Sequence, residues 1–136
     1  MTGENEGSVP IASEGDLIVA RKAARTLATV LGFGITDVTR IVTATSELAR
    51  NIISFAGSGI MKLKVLDAGA DVGIEIIFED HGPGITNVEL AMQEGFTTGK
   101  GLGLGLPGSK RLMDQMEVLS ELGRGTTIIV RKLKKK

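Results

Sequence analysis

The segment GKGLGLGLPG, residues 99–108, has the composition of an anion-binding loop. Its glycines permit positive φ angles, and they leave backbone N–H groups accessible to an anion because no Cβ stands in the way. A helix is predicted to begin near Leu104 or Leu106, and its N-terminus would add partial positive charge beside the loop. The segment therefore favours phosphate binding, although a tight packing loop between short elements fits the same residues.

Three other short motifs place polar side chains on a helix face or beside glycines. SELARN puts Glu47 and Asn51 four positions apart on one face of a predicted helix, away from its apolar stripe. EDHGPG ends a predicted strand at Asp80 and continues into two glycines, and GRGTTI, residues 123–128, fits a hairpin turn. Each motif alone is common and has a purely structural explanation.

Three familiar nucleotide-binding patterns do not fit the glycine-rich segment. A Walker-type loop needs four residues between its first glycine and Gly-Lys, whereas GFTTGKG has three and then a glycine. A dinucleotide fingerprint can be placed on Gly103, Gly105 and Gly108, but the polar residues before it do not predict a strand. The sequence also lacks the VAIK, HRD and DFG motifs of eukaryotic protein kinases. The segment is therefore either a phosphate loop of another kind or a tight packing loop.

Composition limits the classes of function. The 136 residues suffice for one domain with one core. The 16 basic and 16 acidic residues cancel, so overall charge predicts neither a nucleic-acid nor a membrane partner. Four Phe without Tyr or Trp argue against base stacking, and the absence of cysteine excludes disulfides and thiolate metal sites. No apolar run approaches the ~20 residues of a membrane span, so a cytoplasmic location is expected.

The hydrophobic pattern predicts an N-terminal edge strand followed by two helices, a hairpin, a helix and a second hairpin. Residues 1–8 are predicted to be flexible, residues 9–136 to form a single domain, and the tail KLKKK to be solvated. The predicted elements are an edge strand over 9–12, helices from a capping box at 13–16 to Gly32, over 36–55 and from 104 or 106 to 116, and strands over 60–66, 72–78, 118–122 and 126–133. This order indicates an α+β two-layer sandwich, a mainly antiparallel mixed sheet with helices on one face.

Taken together and in this order, the motifs resemble the Bergerat-type (GHKL) ATP-binding fold of gyrase, the ninety-kilodalton chaperones, histidine kinases and MutL. SELARN matches the N box, and EDHGPG, GKGLGLGLPG and GRGTT match the three glycine boxes. The resemblance covers the chain from about residue 10 to its end. Within this group, the phrases LGFG, SELARN, EDHGPGI, GLGLGLPGSKRLMD and GTTI are similar to the serine/threonine switch kinases of the bacterial stressosome, relatives of the anti-sigma-factor kinases.

The resemblance implies binding roles for the matching residues, with ATP and Mg²⁺ as cofactors. Asp80 would accept a hydrogen bond from the exocyclic amine of adenine, and Thr126 would hold the purine edge. Gly82 and Gly84 would let the purine lie against the backbone, and Asn51 would be the magnesium ligand. These residues would form the adenine and metal ends of one site.

The resemblance also implies how phosphate is held and transferred. Glu47 matches the general base that takes the proton from an acceptor serine or threonine hydroxyl. The backbone N–H groups of three lid glycines would bind the phosphates: Gly101, Gly103 and Gly105. Lys100 either meets the γ-phosphate or is solvated, and the roles of Arg50 and Lys110 stay open.

The function implied is that of a serine/threonine protein kinase acting on separate proteins. Its substrates would be stressosome scaffold or antagonist proteins with a STAS domain, and the released kinase would bind and activate a serine phosphatase in a sigma-factor switch. The single histidine, His81, lies in the predicted nucleotide loop and argues against a histidine kinase. Two alternatives remain: an anti-sigma-factor kinase that binds a sigma factor directly, and a non-catalytic nucleotide-dependent binding module.

Overall fold

Alternating apolar residues give five strands one buried face, and helices cover that face. The computed structural model describes residues 6–84 and 106–136. The elements within these ranges are β1 (Gly7–Ile11), α1 (Glu14–Val30), α2 (Ile35–Ala56), β2 (Gly59–Ala68), β3 (Asp71–Asp80), α3 (Leu106–Leu112), β4 (Gln115–Glu121) and β5 (Gly125–Lys135). Two long strands, β2 and β3, form a hairpin that turns at Gly69 and Ala70, as the DAGAD motif predicts.

The strands form one sheet in the order β1-β2-β3-β5-β4. Each pairing between described strands is antiparallel, where the sequence predicts a mainly antiparallel mixed sheet. Along β3 the side chains of Ile74, Ile76 and Phe78 are buried and alternate with residues on the outer face. The predicted α+β two-layer arrangement is confirmed.

The helical layer packs its apolar stripe on this buried face. Both long helices contribute residues at helical spacing, and α2 contributes the longer stripe. Its buried hydrophobic residues are Val38, Ile41, Val42, Ala44, Leu48, Ala49 and Ile52. Among the described helices, none combines the length and the apolar character that crossing a bilayer requires.

The ends of the long helices follow the polar and glycine signals in the sequence. At the start of α1, Asp16 Oδ2 accepts hydrogen bonds from the N–H of Ala12 at 2.8 Å and of Ser13 at 3.1 Å. At the end of α2, Gly57 adopts φ +84°, and its N–H donates to the carbonyl of Ile53 at 3.2 Å. α2 therefore ends shortly before β2 begins at Gly59.

The start of β1 and the end of α3 differ from the sequence prediction. β1 begins at Gly7, so it includes the last two residues of the stretch 1–8 that is predicted to be flexible. α3 ends at Leu112 and not at Met116, which instead pairs with Val130 in the β4–β5 hairpin. The apolar residues between Leu112 and Met116 fit the period of a helix and also that of a strand. Pairing with β5 therefore decides that the chain forms a strand at Met116.

The predicted solvated tail is wrong for Lys132, which is buried on the inner face of β5. Its Nζ donates to the carbonyl of Leu112 at 2.9 Å. It also lies 3.7 Å from Asp37 and 3.6 Å from Asp114. The ammonium group therefore joins the C-terminus of α3 to the start of α2, and this pairing makes its burial tolerable.

Candidate functional site

Asp80 ends β3 with a carboxylate whose orientation is fixed by backbone donors. Its Oδ1 accepts hydrogen bonds from the N–H of Gly82 at 2.9 Å and from the N–H of Thr126 at 3.2 Å. The first bond closes the turn after β3, and the second reaches β5. Because hydrogen bonds to an ionised carboxylate are stronger than neutral ones, Asp80 ties two glycine-containing motifs of the sequence together.

The loop after Asp80 packs so closely on its neighbours that side chains do not fit at two positions. A Cβ on Gly82 would lie 2.6 Å from the Cβ of Ala56 at the end of α2. Gly84 has φ +80°, and a Cβ there would lie 2.6 Å from the carbonyl oxygen of Glu121. Both glycines thus make room for the protein chain itself, and the role predicted for them beside a purine stays a prediction.

The hairpin between β4 and β5 is fastened to the same loop. The N–H of Gly123 donates to the carbonyl of Pro83 at 3.0 Å. Gly125 has φ +115°, and a Cβ on it would collide with the carbonyl oxygen of Asp80. The GRG motif therefore does more than reverse the chain, because its second glycine allows the hairpin to approach the end of β3.

The hydroxyl of Thr126 is held by a residue that sequence reasoning did not select. Thr126 is buried, and its Oγ1 lies 2.9 Å from the Oγ of Ser120, its cross-strand partner. The Ser120 hydroxyl also donates to the carbonyl of Gly125 at 3.3 Å. The predicted strands 118–122 and 126–133 would pair Leu122 with Thr126, whereas the observed three-residue turn follows Glu121 and places Ser120 opposite Thr126.

The C-terminal part of α2 lies against the end of β3. Gly59 pairs with Asp80 in the sheet. A Cβ built on Gly59 would lie 2.8 Å from Cγ2 of Ile52 and 3.2 Å from the Cβ of Asp80. Because Asn51 precedes Ile52 in the chain, the helical turn that carries the predicted metal ligand passes beside the residue predicted to bind adenine.

Glu47 and Asn51 lie about one helical turn apart on α2 and differ in exposure. The Glu47 side chain is 48% exposed and forms an ion pair with Arg50 at 3.7 Å. Asn51 is half-buried, and the neighbouring Leu48 and Ile52 are buried in the core. Glu47 therefore lies off the apolar stripe, as the sequence predicts.

Two surface grooves in the described part of the chain contain predicted site residues. The first has a volume of about 510 Å³, lies between α1 and α2, and is lined by Glu47 and Val42 among others. The second has a volume of about 490 Å³ and contains Asp80 and Thr126. Asn51 lines neither of these two grooves. Convergence of Glu47, Asn51 and Asp80 on one nucleotide thus stays a prediction.

Four predicted phosphate-binding residues lie outside the described residues. They are Lys100, Gly101, Gly103 and Gly105. The described chain resumes at Leu106, the buried first residue of α3. Their roles also stay predictions.

Comparison with protein families decides the relationship. The family described as histidine kinase-, DNA gyrase B-, and HSP90-like ATPase matches residues 36–136. The chain belongs to this ATPase family. The match begins in the first turn of α2 and extends through β5, so it includes all four motifs that predict the site.

Two relatives of the chain within this family are kinase and anti-sigma proteins. The chain is 46% identical over 124 residues to the serine/threonine-protein kinase RsbT of Bacillus subtilis (strain 168), covering 91% of this chain and 93% of that protein. It is 35% identical over 115 residues to the anti-sigma F factor of Thermoanaerobacter sp. (strain X514), covering 80% of this chain and 79% of the relative. Each match covers most of this chain and most of the relative.

Solved structures share the fold at low sequence identity. The RsbU and RsbW domains of Rv1364c from Mycobacterium tuberculosis align with a TM-score of 0.59 and 18% identity, covering 93% of this chain and 32% of that chain. A nucleotide-free catalytic domain of the histidine kinase ThkA aligns with a TM-score of 0.56 and 18% identity, covering 96% and 99%. These likenesses concern the fold alone.

The comparisons confirm the family and the class of enzyme that the sequence motifs predict. The chain is an ATP-using kinase domain of the histidine kinase-, gyrase B- and HSP90-like family, related to RsbT and to anti-sigma F factors. The comparisons assign no role to an individual site residue. Proposals for these roles rest on the geometry around Asp80 and along α2.

Proposed function

We propose that this protein phosphorylates serine or threonine residues of STAS-domain scaffold or antagonist proteins in a sigma-factor stress-response switch. Once released from these substrates, it binds and activates a serine phosphatase. The observation that carries the proposal is the hydrogen-bonded Asp80 carboxylate, in a chain 46% identical to a serine/threonine-protein kinase. The reaction takes place in the cytoplasm, where ATP is available.

Asp80 selects adenine in this proposal. Because Oδ1 is occupied by the N–H groups of Gly82 and Thr126, the carboxylate cannot rotate freely, and Oδ2 is left to accept from the exocyclic amine. Guanine has a carbonyl at that position, which a carboxylate repels. The fixed orientation avoids the entropy cost of ordering the side chain during binding.

Asn51 supplies one oxygen ligand to Mg²⁺ in this proposal. The described residues contain no group of three His, Cys, Asp or Glu side chains that could hold a metal ion by themselves. A single amide oxygen on a half-buried turn fits Mg²⁺, which takes most of its six ligands from phosphate and water. When bound, the ion neutralises charge on the phosphates.

Glu47 acts as the general base. It accepts the proton from the acceptor hydroxyl, the hydroxyl oxygen forms a bond to the γ-phosphorus, and the bond to ADP breaks. Its exposure supports this role, because an acceptor on another protein must reach it from solvent. The long ion pair with Arg50 is weak enough to open when the acceptor arrives. The lid residues Lys100 to Gly105 would hold the phosphates during transfer.

The test combines the purified protein, Mg·ATP and candidate STAS-domain proteins, and locates added phosphate by mass spectrometry. We expect phosphoserine or phosphothreonine on the STAS protein with wild type, and at least about 100-fold slower labelling with Glu47→Ala. A second assay adds a serine phosphatase with and without the kinase, and we expect the kinase to increase its rate. Free phosphate without labelled protein would contradict the kinase proposal and indicate an ATPase.

The anti-sigma F relatives favour a second candidate, direct binding of a sigma factor. Sedimentation of the protein with a purified sigma factor in the presence of Mg·ATP distinguishes the two candidate functions. A stable complex with the sigma factor, without phosphatase activation, would favour this alternative. The proposed switch kinase instead forms its nucleotide-dependent complexes with the STAS protein and the phosphatase.

A further inference from the structure

We propose that the groove between α1 and α2 binds the protein that this kinase phosphorylates. The segment that it binds carries a carboxylate between the acceptor hydroxyl and an apolar side chain. The groove has a volume of about 510 Å³, and its lining includes Glu47, the proposed general base. The inference rests on the proposed function, because it concerns the substrate that reaches Glu47.

The two helices give the lining of the groove a fixed order. They are joined by the short segment 31–34, so the end of α1 lies beside the start of α2. Phe33 and Ile35 line the groove at this connection, and Glu47 lines its opposite end. The helix rises ~18 Å from Ile35 to Glu47, and an extended segment of about six residues spans that distance. One short segment of a partner can therefore contact both ends.

Two arginines of α1 line the groove between its ends. Arg21 and Arg25 are four positions apart and share one face of the helix. Among the ion pairs and hydrogen bonds within residues 6–84 and 106–136, none involves either guanidinium group, whereas Glu47 pairs with Arg50. The lining thus has two positive charges and one negative charge. Its charge is complementary to a carboxylate of a partner, which would lie between the two ends.

The end of the groove at the helix connection is apolar. Phe33, Val38 and Val42 contribute buried side chains to the lining, and Ile35 is 82% exposed. Exposed apolar surface beside polar residues is typical of protein interaction sites. A small hydrophilic ligand would leave Ile35 in water, whereas an apolar side chain of a partner protein would cover it. Charge and apolar surface together therefore favour an acidic protein segment with one apolar residue.

Steady-state phosphorylation of the STAS-domain protein by the full chain tests the charged part of the groove. Arg25→Glu reverses a charge that lies outside the Asp80 groove. We expect KM for the STAS-domain protein to rise about tenfold, with a smaller change in kcat and an unchanged dissociation constant of Mg·ATP. Lys22→Glu is the matched control, because it makes the same change of charge at an exposed position of α1 outside the groove. It should leave KM within about twofold.

A charge exchange between the two proteins locates the carboxylate of the partner. Mass spectrometry identifies the phosphorylated residue, and each Asp or Glu within about six residues of it is changed to Lys in turn. We expect one of these altered substrates to have a lower KM with Arg25→Glu than with wild type, because the two charges have been exchanged. A set in which every altered substrate prefers wild type would overturn the inference.

A second pair of variants tests the apolar end. Ile35→Ser removes the exposed apolar side chain in the groove, and we expect KM to rise about fivefold. Val30→Ser is the control, since Val30 is 63% exposed and lies outside the groove, and it should leave KM unchanged. Thermal unfolding of each variant checks that it is folded at the assay temperature.

The remaining outcomes separate this inference from the proposed function. Phosphorylation by wild type with equal KM values for Arg25→Glu and Lys22→Glu would overturn the inference and leave the proposed function intact. A dimer of the wild-type chain that Ile35→Ser dissociates would also overturn it, because a second copy would then occupy the groove. Weaker binding of Mg·ATP by Arg25→Glu would overturn it as well, since the nucleotide would then contact the groove. Absence of phosphate on the STAS-domain proteins with wild type would overturn both proposals.

Discussion

The Asp80 end of the sheet and the exposed face of α2 that carries Glu47 are built in different ways. Asp80 accepts two backbone hydrogen bonds, and glycines let three chain segments meet around it. Glu47 is about half exposed and has a 3.7 Å ion pair with Arg50, the next helical turn. One region is fixed by the fold before a ligand arrives, and the other leaves its side chain free to move.

This difference agrees with the two roles that we propose for these regions in a protein kinase, nucleotide recognition at Asp80 and proton transfer at Glu47. Nucleotide recognition gains from a rigid site, because little entropy is lost on binding. Proton transfer requires that the hydroxyl of another protein reaches the base. A buried carboxylate would be out of reach of that hydroxyl. We therefore expect substitutions at the Asp80 end to change binding and stability, and substitutions at Glu47 to change transfer alone.

The largest effect is expected for Glu47→Ala. Loss of the proposed general base should lower the rate of phosphate transfer to the proposed STAS-domain substrate by about 10²- to 10⁴-fold. The dissociation constant of Mg·ATP should stay within about twofold, because the side chain is exposed and outside the Asp80 groove. Glu14→Ala, at an exposed carboxylate in the first turn of α1, is the control and should change neither quantity. Weakened ATP binding in Glu47→Ala would erase the distinction between the two regions.

The next effect is expected for Asp80→Asn. The asparagine oxygen can still accept from Gly82 and Thr126, but its amide nitrogen would face the adenine amine, donor against donor. We expect the dissociation constant of Mg·ATP, measured by titration calorimetry, to rise about 100-fold. Asp71→Asn, at the opposite end of β3, should leave it unchanged. Loss of phosphate transfer with unchanged binding of Mg·ATP would contradict the role in nucleotide binding that we propose for Asp80.

A smaller effect is expected for Gly125→Ala, measured as the free energy of unfolding in denaturant. The new side chain would meet φ +115° and the carbonyl oxygen of Asp80, so we expect a loss of about 3 kcal/mol. Gly69→Ala has a positive φ of +69° but open space around it, and should cost about 1 kcal/mol. Equal losses would mean that close approach of the hairpin to Asp80 contributes nothing.

The smallest effect is expected for Arg50→Ala. An exposed ion pair at 3.7 Å contributes little, so the free energy of unfolding should change by less than about 0.5 kcal/mol. Arg40→Ala is a matched control, since Arg40 pairs with Asp37 at 3.1 Å with the same spacing on the same helix. A loss above about 1 kcal/mol for Arg50 alone would show that Glu47 is held rigidly after all.

Much of the fold follows from the sequence because local patterns agree with the final packing. The alternation in 72–78 predicts β3, and the long apolar stripe predicts α2, since each buries one face. The sequence predicts a purine contact for Gly84 and a hairpin turn for the GRG motif, and the close approach of chain segments at Gly84 and Gly125 was not predicted. The family resemblance assigns Asp80 and Thr126 to the same purine, but the hydrogen bond between them was not predicted, because the two residues are 46 positions apart.

Other features depend on partners that a single segment does not reveal. Lys132 belongs to a lysine-rich segment that is typical of a solvated tail. Its burial follows from acceptors supplied by two other elements. The strand character of Met116 depends on pairing with Val130 and not on its own pattern. Ser120 was missed for the same reason, because its importance lies in the hydroxyl across the hairpin.

In the proposed function, the turn of α2 at Asn51 and the Asp80–Thr126 cluster bind the same nucleotide. Titration of the isotope-labelled protein with a non-hydrolysable Mg·ATP analogue, followed by NMR, tests it directly. We expect the side-chain amide of Asn51 and the backbone amide of Thr126 to shift together with one dissociation constant. A shift at Thr126 that saturates while the Asn51 amide stays unchanged would contradict it.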